Sequence, residues 1–345
     1  MRYPKIQKSL NRSDSLSPDD AALAYAVVLI EAVCCVSGSL TFVEDIQSNK
    51  GPSGLATAVK NRDTPALFNW MMKSFSYQGI SNGVAEAYLR KHGTVTWREL
   101  KSLLADAPTC PRLTNYWNFF NCRYDKTSSS CSEPEHRDCC PVPTHPLRNG
   151  RLNQTAYSLY FFIRDIARGD LPRWIDEQLL HVDSSGSSSG HSLQEALVVP
   201  MREIFGVSDK VLTMTLSEIL MSAPRSWPKW FDAGSQMLAV DTLVHNFLHR
   251  TGILSRLGAP HGYGVACYRP GGCANILRRV SDQIDARRFN AAQPANFPRF
   301  IQHALWQYCA ADGDDVCNGN NIDDAKSCEN IYCIIYSKCS RIPMY

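Results

Sequence analysis

Leu238-Ala239-Val240-Asp241-Thr242-Leu243-Val244-His245-Asn246-Phe247-Leu248 passes from an apolar run, through an acid and a hydroxyl residue, into a helical pattern. Val244, Phe247 and Leu248 recur at the three- and four-residue steps that place side chains on one helix face. An Asp before Thr at the head of such a pattern reads as an N-cap, whose side-chain oxygen accepts a free backbone N–H. Gly252 is the expected stop. The stretch therefore reads as a helix that begins on a carboxylate held near the positive end of the helix dipole.

The same grammar extends outward. Ser17-Pro18-Asp19-Asp20 opens a helix reaching to about Gly38. Asp63/Thr64-Pro65 opens the next, with Leu67, Phe68, Met71, Met72 and Phe75 on one face and a stop at Tyr77-Gln78-Gly79. Further helices are predicted over Ser81–His92, Thr96–Leu104, Asn153–Arg168, Leu193–Ile204, Thr215–Met221, Ala274–Ile284 and Phe297–Tyr308. No run alternates as a half-buried strand does, so the fold class is all-α. Asn49–Asn61 reads as a connector and Asp183–Gly190, Asp-Ser-Ser-Gly-Ser-Ser-Ser-Gly, as a flexible linker. Asp106–Gly150 breaks the helical pattern and reads as a Cys-rich insertion.

Composition narrows the class. With 345 residues, 44% apolar and 20% charged, the chain is globular and large enough for one or two domains. A net charge of +3 is compatible with nucleic-acid binding without requiring it. Met1–Leu16 is polar and lacks the apolar core of an export signal, so the expectation is a cytoplasmic (nucleoid) or nuclear protein, not a secreted one. Ala21–Gly38 is apolar, but it is short and contains Glu31, which favours a buried core helix over a membrane span.

Fourteen cysteines without an export signal point to metal ligation or buried thiols rather than disulfides. Cys317, Cys328, Cys333 and Cys339 are spaced C-x10-C-x4-C-x5-C, with Cys309 as a substitute for Cys317. Spacing alone leaves a four-Cys zinc site, an iron–sulfur cluster and metal-free thiols open. In the insertion, Cys110, Cys122, Cys131, Cys139, Cys140, His136 and His145 are candidate ligands for a second metal, zinc, although their spacing matches no standard finger. A loop that covers DNA or reads a lesion is the other reading. His245 and His249 share a helix face, but no Glu follows the first as in a metalloprotease helix, so surface or phosphate-facing roles are expected. Cys267 and Cys273 flank Pro270-Gly271-Gly272, a tight turn, and read as structural.

Val240-Asp241-Thr242 followed by the cysteine run Cys333-Ile334-Ile335-Tyr336-Ser337-Lys338-Cys339 resembles the helix-hairpin-helix DNA glycosylases of the endonuclease III type. Four blocks stand in that family's order: Leu67–Leu100, Gly150–Tyr157 onward, Leu216–Leu248 and Phe297–Cys339, together about half of the chain. The last cysteine gap matches well, and the first two gaps are longer than usual. The resemblance implies a two-lobed helical fold. Residues 1–63 would pack on a cluster lobe of residues 241–345, and residues 64–240 would form a helical barrel interrupted by the insertion at 106–150. It implies that Cys317, Cys328, Cys333 and Cys339 hold a [4Fe–4S] cluster in a C-terminal loop, and that Asp241 is catalytic.

By the same resemblance the partner is double-stranded DNA carrying a base lesion or mismatch, bound by a monomer, with no membrane involved. The target base would be flipped out, because its glycosidic bond is inaccessible inside a duplex. Gln78 is similar to the family residue that fills the gap left behind, and Tyr77 beside it would stack on a base. Bifunctional members carry a Lys in a Gly-rich hairpin. Counting back from Asp241 by their spacing lands on Ala223, within the glycine-free Met221-Ser222-Ala223-Pro224-Arg225-Ser226-Trp227-Pro228-Lys229. This implies a monofunctional glycosylase, with Arg225, Ser226 and Lys229 as the phosphate contacts. Leu243 stands where relatives often have His. A non-catalytic DNA-binding iron–sulfur protein on the same scaffold is the alternative.

Overall fold

The computed structural model describes residues 17–38, 43, 54–105, 110–184 and 190–345. The polar N-terminus, residues 49–53 of the 49–61 connector, residues 106–109 of the insertion and residues 185–189 of the Ser/Gly linker lie outside the described residues.

The architecture is all-α. In chain order the helices are α1 (Pro18–Ser37), α2 (Leu55–Lys60), α3 (Thr64–Phe75), α4 (Asn82–His92) and α5 (Trp97–Leu103), then α6 (Tyr116–Phe119) and α7 (Pro134–Arg137) in the insertion. They continue with α8 (Asn153–Phe161), α9 (Leu171–Ser184), α10 (Gly190–Met201), α11 (Asp209–Met221), α12 (Pro228–Ser235), α13 (Thr242–Arg250), α14 (Ile253–Arg256), α15 (Cys273–Ser281) and α16 (Pro298–Cys309). Local chemistry sets many of the starts. Ser17 accepts Asp20 N at 3.1 Å ahead of Pro18, Asp63 accepts Ala66 N at 3.0 Å, and Thr96 and Glu99 form a reciprocal capping box.

The buried side chains form two cores. The first runs from Leu55 to Met237 and takes in Leu67, Phe68, Met71, Met72 and Phe75, the predicted apolar face of α3. The second joins Ala26, Leu29, Ile30, Val33 and Cys34 of α1 to residues between Met221 and Ile335. Each fully buried Leu, Ile or Val of α1 contributes about 1.5–3 kcal/mol, which suffices to dock this helix across a long chain separation. Tyr25 adds hydrogen bonds to Thr251 O at 2.6 Å and Lys338 O at 2.8 Å. Pro18–Ser37 is long and apolar enough to cross a membrane, and 39% of its most apolar window is buried in the fold.

Four sequence expectations change. Leu55–Lys60 is a helix of the first core rather than a connector. The run from Asn153 leaves α-helical geometry at Phe162, where Ala167 N bonds to Phe162 O in a wider turn. The insertion holds a two-stranded antiparallel sheet, Tyr124–Asp125 against Ser130–Cys131, with Tyr116, Phe119 and Tyr124 anchored in the first core. Helices α9 and α12 were not legible in sequence. In α12, Pro228 and Gly234 dilute the periodicity, and tertiary contacts supply what propensity lacks.

Helices α11 and α12 pack closely against each other and are joined by Ser222–Trp227. Trp230 is buried and donates Nε1–H to Asp176 Oδ1 at 2.6 Å, and Asp176 Oδ2 pairs with Arg62 at 2.6 Å. Arg62 also lies over the Trp227 ring, 5.2 Å from its centroid. A Cβ at Gly234 would stand 2.8 Å from Met221 Cγ and 2.9 Å from Leu220 Cβ, so glycine lets the two helices approach. We expect Gly234→Ala to cost ~1–3 kcal/mol through overpacking. Gly83→Ala, in open space on α4, should gain ~0.5–1 kcal/mol. Urea denaturation of both variants measures the contrast.

Candidate functional site

Asp241 caps α13, its Oδ1 accepting Val244 N at 2.9 Å. The carboxylate sits where the two cores meet and only 8% of the residue is exposed. Burial pushes its pKa above the usual 3.8, opposed by the Val244 N–H and by the positive charges of Lys210 and Arg299. Arg299, on the first turn of α16, is buried between the fields of Glu218 and Asp241. Glu218 likewise sits above its ordinary value because burial disfavours its charge, with Arg299 opposing. Tyr268 brackets the residue before Asp241: its hydroxyl accepts Val240 N at 3.0 Å and donates to Val240 O at 3.1 Å. Tyr263, 46% exposed, has its hydroxyl pKa raised by burial and by the nearby Asp241 charge. Glu218, Lys210, Arg299, Tyr263 and Tyr268 were not legible as site residues, because only the packing of α11, α16 and the 259–272 loop brings them to Asp241.

His303, one turn beyond Arg299, has its pKa lowered from 6.5 to about 3, first by burial and then by the Arg299 charge. It is therefore neutral in the folded state across a range in which the unfolded chain binds a proton. Stability is expected to fall as pH drops from about 6.5 toward 3, by on the order of 4 kcal/mol from this group. His303→Gln should flatten that limb of a stability-versus-pH curve measured by urea denaturation.

The other proposed DNA contacts are dispersed. Arg225 and Ser226 are exposed on the α11–α12 turn, and Lys229 is exposed on the first turn of α12. Lys229 lines an open cleft of about 640 Å³ with His191, Asp232, Arg278, Asp282 and Asn296; Asp241 is not part of that lining. Tyr77 and Gln78 are half-buried at the end of α3. The Gln78 amide is already engaged, donating to Gly206 O and accepting Ser208 N at 3.0 Å, so it braces α3 against the 206–208 loop.

Cys317, Cys328, Cys333 and Cys339 line one pocket walled by Val316, Ile322 and Ile335. Cys309 is buried at the end of α16, shares a thiol hydrogen bond with Cys317 and does not line the pocket, whose fourth cysteine is Cys317. No three of the four sulfurs fall within 4.8 Å of one another. That is wider than the roughly 3.8 Å edge of a single tetrahedral zinc with Zn–S bonds of about 2.3 Å. Arg250 and Arg341 line the same pocket. Arg250 is 2% exposed and bonds Asp324 through Nη2, while its Nε and Nη1 have no hydrogen-bond partner among the described residues. Cys339 Sγ accepts Arg341 N at 3.3 Å, and Cys333 Sγ accepts a bond from the Ile335 backbone. Burial nevertheless raises the thiol pKa of Cys333 and Cys339, the latter to about 11; four sulfurs lining one pocket are the donor set that an iron–sulfur cluster takes.

The second metal expected in the insertion does not find its ligands. Burial pushes the Cys122 and Cys140 thiols up, and the nearby Cys110 and Cys131 sulfurs add to the shift of both. No three of these four cysteines form a compact ligand set. Cys139 is exposed, its Sγ donating to His136 O, while burial lowers the His145 pKa against the opposing Glu99 charge and His136 groups with exposed or half-buried Glu133 and Glu135. The expectation for His245 is also overturned. It is 4% exposed and lies among His261, Cys267 and Cys273, whereas His249 is half-buried and bonds Pro343 O at 3.0 Å. The quartet escaped the sequence reading because His245 lies on α13 and the cysteines flank a distant turn. Comparison with known protein families, curated proteins and solved structures finds no match for this chain.

Proposed function

We propose that this protein is a DNA glycosylase that hydrolyses the N-glycosidic bond of a damaged or mispaired base flipped out of a DNA duplex, without a lyase step. The observation that carries the reading is Asp241. It is a sheltered carboxylate at a helix start, one short segment after a helical hairpin, in a lobe with a four-thiol pocket.

Breaking a glycosidic bond builds positive charge at C1′ of the deoxyribose. A carboxylate in a partly dry site stabilises that charge more strongly than one in water and can orient the attacking water. The water oxygen bonds to C1′, the C1′–N bond breaks, and the base leaves with its electron pair and a proton. Arg299 and Lys210 favour the ionised carboxylate that this role requires. Tyr263, exposed beside it, offers a face on which a flipped base could stack. Arg225, Ser226 and Lys229 supply phosphate contacts from the hairpin. Ala223, where a lyase Lys would stand, is 3% exposed and buried in the first core, which supports a monofunctional enzyme. Cys317, Cys328, Cys333 and Cys339 would hold a [4Fe–4S] cluster, which when bound ties the C-terminal loop together. Duplex DNA in the nucleoid or nucleus is the partner this reading requires.

The engaged Gln78 amide and the capping bond of Asp241 favour one second reading, a DNA-binding protein without turnover. A panel of end-labelled duplexes carrying uracil, oxidised pyrimidines, alkylated purines or mismatches separates the two. Base loss revealed as strand breaks only after alkali is expected. Breaks without alkali would overturn the monofunctional assignment. Salt-dependent binding with no base loss on any duplex would select the second reading.

A further inference from the structure

The four ligand atoms of His245, His261, Cys267 and Cys273 all lie within 4.8 Å of one another. Cys273 Sγ is 3.3 Å from His261 Nε2 and 3.4 Å from His245 Nδ1, and Cys267 Sγ is 3.5 Å from His245 Nδ1. Two sulfurs at about 2.3 Å and two imidazole nitrogens at about 2.0–2.1 Å from one tetrahedral zinc would be separated by roughly 3.3–3.8 Å. We propose that these four residues bind a single Zn²⁺ ion in a closed Cys2His2 site that clamps the 259–273 loop to helix α13.

The surroundings are built for a ligand set. His261 Nδ1 lies 2.7 Å from Ala259 O, so that nitrogen carries the proton and Nε2 presents its lone pair toward Cys273. A metal-bound imidazole is held in this way through its second nitrogen. Cys267 and Cys273 are fully buried in the second core and His245 is nearly so. Two thiolates offset the charge of Zn²⁺, so the loaded site is neutral and suits an apolar surrounding. The turn between the cysteines is equally specific. Gly271 has φ +79°, and a Cβ at Gly272 would meet Ala266 O and Cys267 O, so only glycines return the chain to place Cys273 beside Cys267. All four positions are filled by protein, which assigns the ion a structural role.

The clamp holds both flanks of Asp241. His245 lies one turn into the helix that Asp241 caps, and Tyr268, next to Cys267, grips the backbone of Val240. Loss of the ion would loosen Asp241 from both sides while leaving its own hydrogen bond in place. The site does not depend on the glycosylase reading, because its metal content is read without any base excision.

The test uses the full chain purified without chelators, with zinc and iron quantified by mass spectrometry. Zinc is exchanged for ¹¹³Cd, whose NMR shift separates mixed sulfur–nitrogen sites from all-sulfur ones. The expected result is a ¹¹³Cd resonance in the mixed range. In Cys267→Ser/Cys273→Ser that resonance should disappear and one zinc per chain should be lost, with iron content unchanged. Should the variant fail to fold, the wild-type resonance decides alone. Absence of a mixed-ligand resonance, unchanged zinc in a folded variant, or a Cys267–Cys273 disulfide in zinc-free protein would each overturn the site.

Discussion

Asp241→Asn is expected to lower base release by ~10³-fold while leaving duplex affinity within a few-fold, because it deletes the charge that answers the developing cation at C1′. Asn caps helices as well as Asp does, so the bond from Val244 N survives. The carboxylate also costs stability when ionised. Its folded-state pKa is raised above 3.8, so stability contributed by the neutral acid is present below that value and is lost as pH rises through the folded pKa. Asp241→Asn should therefore be neutral or slightly stabilising at pH 7. Asp241→Ala, which loses the cap too, should cost ~1 kcal/mol relative to Asn. Single-turnover base release, salt-titrated DNA affinity and thermal melting of the three proteins measure the effect. An Asn variant with wild-type turnover, in a wild-type protein that does excise, would remove Asp241 from the chemistry.

Cys333→Ser is expected to remove iron and the broad visible absorption of thiolate–iron charge transfer from anaerobically purified protein, and to lower the melting temperature sharply. Cys333 Sγ lies 3.0 Å from Tyr308 Oη, and its pocket borders the second core. A bound cluster contributes folding free energy because the unfolded chain cannot assemble its ligands. Losing it also leaves Arg250 Nε and Nη1 without anionic sulfurs beside them, although Nη2 keeps its pair with Asp324. Cys139→Ser, at an exposed thiol in the insertion, is the control and should leave iron and melting unchanged. Wild-type protein is expected to carry about four irons per chain. Wild type without iron would overturn the cluster, and zinc in excess of one per chain would replace it with another thiolate site.

What was readable in sequence is local. The cap at Asp241, the Ser17-Pro18 start and the apolar face of α3 follow from nearest-neighbour chemistry, because a helix start and a helix face are each specified within a few residues. The cysteines at 317–339 could be grouped because they lie within one loop, and the pocket they line includes Cys317 and not Cys309. The short helix α12 depends on a glycine whose meaning is its distance to α11.

By itself the sequence determined an all-α chain with a carboxylate at the head of α13 and a C-terminal set of thiols. Tertiary structure alone decided that the Gln78 amide bonds the 206–208 loop. It also decided that Arg299 and Glu218 share the field of Asp241, and that His245 meets two cysteines from beyond a distant turn. The physical reason is range. Backbone propensity and side-chain periodicity act over one or two turns, whereas a ligand set or a charge array forms only where packing brings remote segments within a few ångströms.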